Sequence, residues 1–291
     1  MRAAAILGIG TSPDDLKPFQ SPGSSFQLGV PENPAGLDAI LIFGGDGTLH
    51  RHLGDLVRLQ LPVLVVPRGS GNDFARSLGL RNLDQAANAW KHFSAVAKNA
   101  LTVDLGTITT PGPSPERCYF SCVAGVGLDT ATAAIANRLP RWLRANGGYA
   151  LSLPVALATF TPPQVELSVD NRPHSSAPRV LAAFANTPWY GGGMHIAPKA
   201  DMTDGLLDAC LVGQLTKAKL LRLFPSVYGG RHLKFQEVEY LQGRTFQVTT
   251  PTPVDVYADG EAIAHTPVVI GVAPGALRVI VPVSSGSQLA S

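Results

Sequence analysis

The chain reads as an α/β domain with a parallel sheet followed by a β-rich domain built as an antiparallel sandwich. Two apolar runs, Ala39-Ile40-Leu41-Ile42-Phe43 and Leu61-Pro62-Val63-Leu64-Val65-Val66, lack polar alternation, the pattern of strands buried on both faces of a parallel sheet. Each run enters a glycine-rich turn and then a helix-like segment, and two such units in succession predict an α/β domain. From about Ala100 the texture changes to closely spaced β-branched or alternating pieces separated by Pro and Gly turns, which predicts an antiparallel sandwich or barrel. The expected division is residues 1–104 and 105–291.

Taken in order, residues 3–10 form the first strand. Ser12-Pro13-Asp14-Asp15 is a helix start with Pro at the first helical position, and Pro18 stops that helix early. Residues 20–36 read as loop. After the strand ending at Phe43 comes Gly44-Gly45-Asp46-Gly47-Thr48, then a helix to about Leu59. The second run ends at Pro67 and enters Arg68-Gly69-Ser70-Gly71-Asn72-Asp73-Phe74-Ala75-Arg76, and a further helix covers Leu83 to Asn99. In the second half strands are expected at 102–109, 118–124, 164–170, 180–185, 206–212, 245–249, 254–257, 268–272 and 277–281. Helices are expected near 128–136, 148–158 and 216–228.

Composition narrows the function classes. Charged residues make up 15% and the formal net charge is +2, so nothing in the charge balance argues for nucleic acid as a partner. Cys118, Cys122 and Cys210 form no CxxC or His-containing cluster, and read as reduced core thiols of a cytosolic protein. No apolar stretch approaches the roughly 20 residues of a membrane span.

The glycine turns carry the first chemistry. A Gly-rich turn between a strand end and a helix N-terminus presents main-chain N–H groups and the positive end of a helix dipole, which suits phosphate. Gly44, Gly45, Gly47, Thr48 and Leu49 form one such wall, and Gly69, Ser70 and Asn72 a second. Ligands of parallel sheets bind beyond the carboxyl ends of the strands, where both turns fall. Asp46, Asp73 and Asp104 each follow or end a strand of the first domain. They are candidates for a carboxylate network, with Asp73 as a helix N-cap and Asp104 as a turn residue being the plainer readings. Asp201-Met202-Thr203-Asp204-Gly205-Leu206 is an oxygen-rich turn, suited either to a hard cation or to Asx hydrogen bonds in a hairpin. Asp259-Gly260-Glu261 lies between two strands, two acids flanking a glycine as in an ordinary β-turn.

These motifs together resemble the diacylglycerol kinase catalytic-domain family, which includes sphingosine kinases and bacterial soluble lipid kinases. The resemblance is carried in order by Gly44–Thr48, Pro67–Arg76, Val103-Asp104-Leu105-Gly106, Gly125-Val126-Gly127-Leu128-Asp129, Asn186, Gly191-Gly192-Gly193-Met194, Ala197–Asp201, Asp204–Asp208 and Asp259–Glu261. It implies ATP-dependent phosphorylation of a lipid hydroxyl, of diacylglycerol or a related lipid such as a sphingoid base or phosphatidylglycerol. ATP would lie in the cleft between an α/β domain of the NAD kinase/diacylglycerol kinase type and a β-sandwich. The resemblance places Mg²⁺ on the Asp204 side chain with oxygens from Asp201 and Leu206, and brings Asp46, Asp73 and Asp104 into a network reaching that ion. It makes Glu261 the general base, with Asp259 its rival.

The implied partner is a lipid substrate at the membrane surface, with the protein in the cytoplasm or at the inner face of the membrane; a homodimer is compatible with this. Two further segments bear on a lipid: Ala150–Phe160 as an apolar lining, and Asn137–Arg144, where Arg138, Arg141 and Arg144 flank Trp142 and Leu143 as at a membrane interface or on a solvated helix face. The sequence departs from the family pattern in several places: the Gly44–Thr48 turn begins earlier than the family pattern has it, as if one strand–helix unit were lost or shortened. The first strand ends in Gly8-Ile9-Gly10-Thr11-Ser12-Pro13 in place of an Asn-Pro turn with basic residues, Ser70 stands for the usual Thr, and Arg51 replaces an acid. Two rival readings remain: an NAD-kinase-like enzyme, which shares the first glycine turn, and a nucleotide- or lipid-binding protein that has lost catalysis.

Overall fold

The computed structural model describes residues 1–112, 115–128, 130, 132, 135, 152, 155–156 and 160–283. Most of the expected helices near 128–136 and 148–158, Asp129, the Asn137–Arg144 segment and most of Ala150–Phe160 lie outside the described residues. The chain divides into two compact units, Met1–Val103 with the stretch from Gly275 onward, and Asp104–Pro274. The first unit thus takes in a C-terminal stretch that the sequence reading gave to the second domain.

In the first unit, strands β1 (Arg2–Leu7), β2 (Ser25–Leu28), β3 (Ala39–Gly44) and β4 (Val63–Pro67) are all parallel, in the order β2-β1-β3-β4. The end of β15 (Val268–Ile280) adds a fifth parallel strand through Val279 opposite Val63. Every residue of β3 and β4 is buried, as their unbroken apolar runs require. Helix α1 (Asp46–Leu59) buries Leu49, Leu53, Leu56 and Leu59 along one face, and α3 (Leu83–Val96) buries Ala86, Ala89, Trp90 and Phe93. Between them α2 (Asp73–Ser77) is a single short turn of helix. Asn82 caps α3, its side chain accepting the Gln85 N–H at 2.9 Å. Pro13–Phe19 forms a 3₁₀ segment whose Phe19 carbonyl accepts the Trp90 indole N–H at 2.8 Å. Strand β2 was read as loop. Its residues are mostly exposed, so it carries no apolar run.

The second unit is antiparallel. Strands β5 (Ala100–Thr109), which crosses from the first unit, and β6 (Arg117–Phe120) pair, as do β7 (Val123–Gly127), β8 (Gln164–Val169) and β10 (Leu207–Gly213) with the long β9 (Arg172–Ala185). The first half of β9 pairs with β8, and its second half runs between β7 and β10. Outward of these lie β11 (Val238–Gly243) on β10, β12 (Thr245–Thr249) on β8, and β13 (Asp255–Ala258) with β14 (Glu261–His265) beside β7. Phe120, Phe184 and Phe246, with Val126, Leu167, Leu211 and Ile270, form one core between the sheets. Helix α4 (Lys217–Val227) falls where a helix was expected, over 216–228, and is capped by the Thr216 side chain.

The segment expected to be one strand over 118–124 is two, and the two pieces 268–272 and 277–281 are one. Cys122 and Cys210 are buried free thiols, but Cys118 is exposed on β6 rather than part of the core. Burial pushes the Cys210 thiol up to about 12, so it stays protonated.

Candidate active site

In the first unit the two glycine turns meet backbone to backbone. A Cβ on Gly45 would come within 2.9 Å of Gly69 Cα, and one on Gly69 within 2.5 Å of Gly45 Cα. A Cβ on Gly44 would lie 2.5 Å from the Thr48 side chain, and one on Gly8 2.7 Å from Thr48 Oγ1. Gly44, Gly45 and Gly69 were expected to present main-chain N–H groups to a phosphate. Gly44 and Gly45 are also required by the chain's own packing, and Gly8, in place of the family's Asn-Pro turn, leaves the room that Thr48 fills. Gly45 is the N-cap of α1, so Asp46, Gly47 and Thr48 form the first turn of the helix.

The second turn is held from within. Asn72 adopts a left-handed conformation (φ 53°), which Asn tolerates better than most residues. Its side chain accepts the Gly69 N–H at 2.8 Å and donates to the Gly69 carbonyl at 2.6 Å. Asp46 accepts the N–H groups of Asp73 and Phe74, both at 3.1 Å, and so caps α2 from the other turn. Asp73 is not the cap; it is the buried first residue of α2, with Arg76 Nη1 at 2.7 Å from its carboxylate. Arg68 pairs with Asp15, whose other oxygen accepts the Ser12 N–H at 2.8 Å. Lys17, the basic residue near the altered first turn, pairs with Asp14.

In the second unit Asp104 is a buried strand residue, not a turn residue. Its carboxylate accepts the Gly205 N–H at 2.7 Å, its N–H donates to the Met202 carbonyl at 2.7 Å, and its carbonyl accepts from Asn186 at 3.0 Å. Asp104 thereby anchors the Asp201–Leu206 turn. In that turn Asp201 Oδ1 accepts from the Thr203 N–H and hydroxyl, and Asp204 Oδ1 accepts the Leu206 N–H at 2.9 Å. The Asx bonds of a hairpin are therefore present. Burial pushes the Asp204 carboxyl up, the Leu206 N–H opposes this, and the nearby Asp201 and Asp104 add to the rise. Among the described residues no group of three or more His, Cys, Asp or Glu side chains is placed to hold a metal ion. The turn instead offers the two exposed carboxylates of Asp201 and Asp204 and main-chain oxygens. That donor set fits Mg²⁺, which takes one or two carboxylates and completes its shell with water and substrate phosphate.

The Asp259-Gly260-Glu261 turn links β13 to β14. Asp259 is left-handed (φ 51°) and its carboxylate faces a nest of donors. Oδ2 accepts the Ser121 N–H at 2.8 Å and the Ser121 hydroxyl at 3.0 Å, while Oδ1 accepts the Cys122 N–H at 2.8 Å. Glu261 is exposed at the start of β14. The two acids therefore differ: one is held by the main chain of 121–122, the other is open to a reactant. Sequence reasoning ranked Glu261 first without this contrast, because Asp259's partners lie 137 and 138 residues away.

One further feature has no counterpart in the sequence reading. A pocket of about 530 Å³, counting its part open to solvent, is lined by Leu128, Val180, Met194, Val212, Leu223 and Phe224 among others, with His232 in its wall. It draws on β9, β10 and α4, so no single stretch of sequence announces it.

The fold and these two sets of residues define a kinase of the type that joins a glycine-turn α/β unit to a β-sandwich. The diacylglycerol kinase catalytic domain family matches residues 17–108, and the YegS C-terminal NAD kinase beta sandwich-like domain family matches residues 122–281. A diacylglycerol kinase of Mycobacterium tuberculosis is 35% identical over 249 residues, covering 85% of this chain and 78% of that protein. The chain belongs to the diacylglycerol kinase family. Among solved structures, a diacylglycerol kinase from Bacillus anthracis str. Sterne superposes with a TM-score of 0.68 at 19% identity, covering 96% of each chain. An NAD kinase from Archaeoglobus fulgidus in complex with ATP gives a TM-score of 0.54 at 14% identity, covering 96% of this chain and 93% of that one. These two show the shared fold.

Proposed function

We propose that the chain transfers the γ-phosphoryl group of ATP, with Mg²⁺, to a hydroxyl of diacylglycerol or a related lipid. The observation that carries this is the division of labour at the β13–β14 turn, where a main-chain nest holds Asp259 and leaves Glu261 exposed. In the reaction the lipid hydroxyl oxygen bonds to the γ-phosphorus, the bond to the β–γ bridging oxygen breaks, and ADP leaves. Glu261 accepts the hydroxyl proton as the new bond forms; a carboxylate suffices where its main task is to orient the nucleophile. The N–H groups at the start of α1 and in the Gly69–Asn72 turn supply donors for the phosphates. Asp204, with oxygens of Asp201 and Leu206, would hold Mg²⁺, which when bound offsets phosphate charge. Asp104 keeps that turn in place through Gly205.

The apolar pocket of the second unit supports a lipid acceptor, since it offers methylene chains a lining of aliphatic and aromatic side chains. Among the described residues no helix is long and apolar enough to cross a membrane, and in this reading the protein meets its substrate at the membrane surface. The test is phosphate transfer from labelled ATP across diacylglycerol, sphingoid bases, phosphatidylglycerol and NAD. Labelled lipid that depends on Mg²⁺ is the expected product. Labelling of NAD alone would replace this reading with an NAD kinase, and ATP binding without transfer to any acceptor would leave a lapsed enzyme.

A further inference from the structure

Strand β9 ends at Ala185, and both parts of the site in the second unit lie beside that end. Ala185 stands opposite Val123 at the start of β7 and opposite Asp208 near the start of β10. Ser121 and Cys122, just before β7, hold Asp259, and the Asp201–Leu206 turn comes just before β10. Asn186, the residue after β9, therefore sits between the two, and it is fully buried. Its side-chain Nδ2 donates to the Asp104 carbonyl and to the Ser121 carbonyl, both at 3.0 Å. Its main-chain N–H donates to the Cys122 carbonyl at 2.8 Å. Two carbonyls face the amide, so its nitrogen points to them and its oxygen away. That buried oxygen finds no hydrogen-bond partner among the described residues, a loss of stability that a leucine of similar size would not carry. What the amide supplies is the pair of donations. No other uncharged side chain of its length has two hydrogens on one atom.

We propose that Asn186 is a positioning residue that holds the Asp201–Leu206 turn and the Asp259–Glu261 turn at one separation. Asp104 passes the constraint to the first turn through its bonds with Gly205 and Met202, and Ser121 passes it to the second through Asp259. One amide then sets how far Glu261 stands from the oxygens of Asp201, Asp204 and Leu206. The inference rests on the lipid-kinase reading for the use made of that separation. The proton acceptor and the oxygens that would hold the metal serve one phosphoryl transfer, and a misplacement of about 1 Å in such a set can lower the rate roughly a hundredfold.

The test is amide hydrogen exchange, followed by NMR on the full chain without metal or nucleotide, with steady-state kinetics alongside. Asn186→Leu is expected to speed exchange roughly tenfold or more at Gly205 and at Ser121 and Cys122 together, while Phe246 and Val248 in β12 stay within about twofold. Equal acceleration throughout the unit would mean a general loss of stability, and acceleration at one turn only would mean that the two are not tied. Either result overturns the proposal. In the phosphate-transfer assay kcat should fall roughly tenfold or more in N186L, with the KM for the lipid within about twofold of normal. Should N186L fail to fold, Asp259→Asn decides with Asn186 in place. Loosening Ser121 should then speed exchange at Gly205, and an unchanged Gly205 overturns the proposal. Coupled exchange in a wild-type protein that transfers phosphate to no acceptor would sink the kinase reading alone; transfer by N186L at the wild-type rate would sink this proposal alone.

Discussion

Asp259 and Glu261 are separated by a single glycine, yet their surroundings give them different work. Replacing Asp259 by Asn puts an amide NH₂ where the Ser121 and Cys122 donors converge, so at least one donor is left facing another. Asp259→Asn is expected to lower stability by about 1–3 kcal/mol, the usual cost of leaving a buried hydrogen-bonding group unsatisfied. It should also cut turnover, because the turn that carries Glu261 shifts. Glu261→Gln should cut turnover by ~100-fold or more, the low end for loss of a general base. The same change should leave the melting temperature unchanged, since Glu261 is exposed. Measured kcat and Tm for both variants check the pair; an unchanged Tm in Asp259→Asn, or a normal kcat in Glu261→Gln, contradicts the assignment. Asp46 follows the same logic. Its carboxylate is committed to two N–H groups of α2, which gives an acid in a phosphate turn a structural reason to be there.

At the level of elements, the two glycine turns act as one object because Gly45 and Gly69 pack without side chains between them. Gly45→Ala places a methyl group 2.9 Å from Gly69 Cα and must push the turns apart. A stability loss of about 1–3 kcal/mol is expected from such overpacking, with a KM for ATP raised roughly tenfold while the lipid KM stays put. Steady-state kinetics with each substrate varied in turn would show it, and an unchanged ATP KM would detach these turns from nucleotide binding. Strands β3 and β4, their turns and α1 were all legible, because burial on both faces writes an unbroken apolar run and a helix writes a three-to-four spacing. Strand β2 was not, since Ser25-Phe26-Gln27-Leu28 lies at the sheet edge and mostly faces solvent. Strand β15 was read as two because Pro274 and Gly275 interrupt its pattern, although the chain continues through them. The site residues were legible as motifs, while their roles were not. That Asp73 yields the cap of α2 to Asp46, or that Asp104 anchors a turn a hundred residues on, depends on partners that local spacing does not encode.

For the molecule as a whole, the buried His232 couples stability to pH. Its folded-state pKa is depressed from 6.5 by burial, so below about pH 6.5 the unfolded chain binds the proton more readily than the folded one. Its contribution is therefore fully present above that pH and is lost as the pH falls. Thermal melts from pH 7 to pH 5 should show a falling Tm, with a shallower fall in His232→Leu; parallel slopes would exclude His232 as the cause.

The division into two units falls inside β5 and β15, between Val103 and Asp104 and between Pro274 and Gly275. Leu277, Val279 and Ile280 are buried, and Val281 donates its N–H to the Asn99 carbonyl at 2.9 Å and accepts the Asn99 side-chain amide at 2.7 Å. Removing residues 275–291 should leave β4 with an open edge, and circular dichroism and limited proteolysis should find the first unit unfolded or nicked. For the growing polypeptide the same layout sets an order of events. As it leaves the ribosome, the nucleotide-type unit waits with β4 exposed until the entire sandwich has been translated. A stop or a stall anywhere in the second unit therefore leaves both units unfinished.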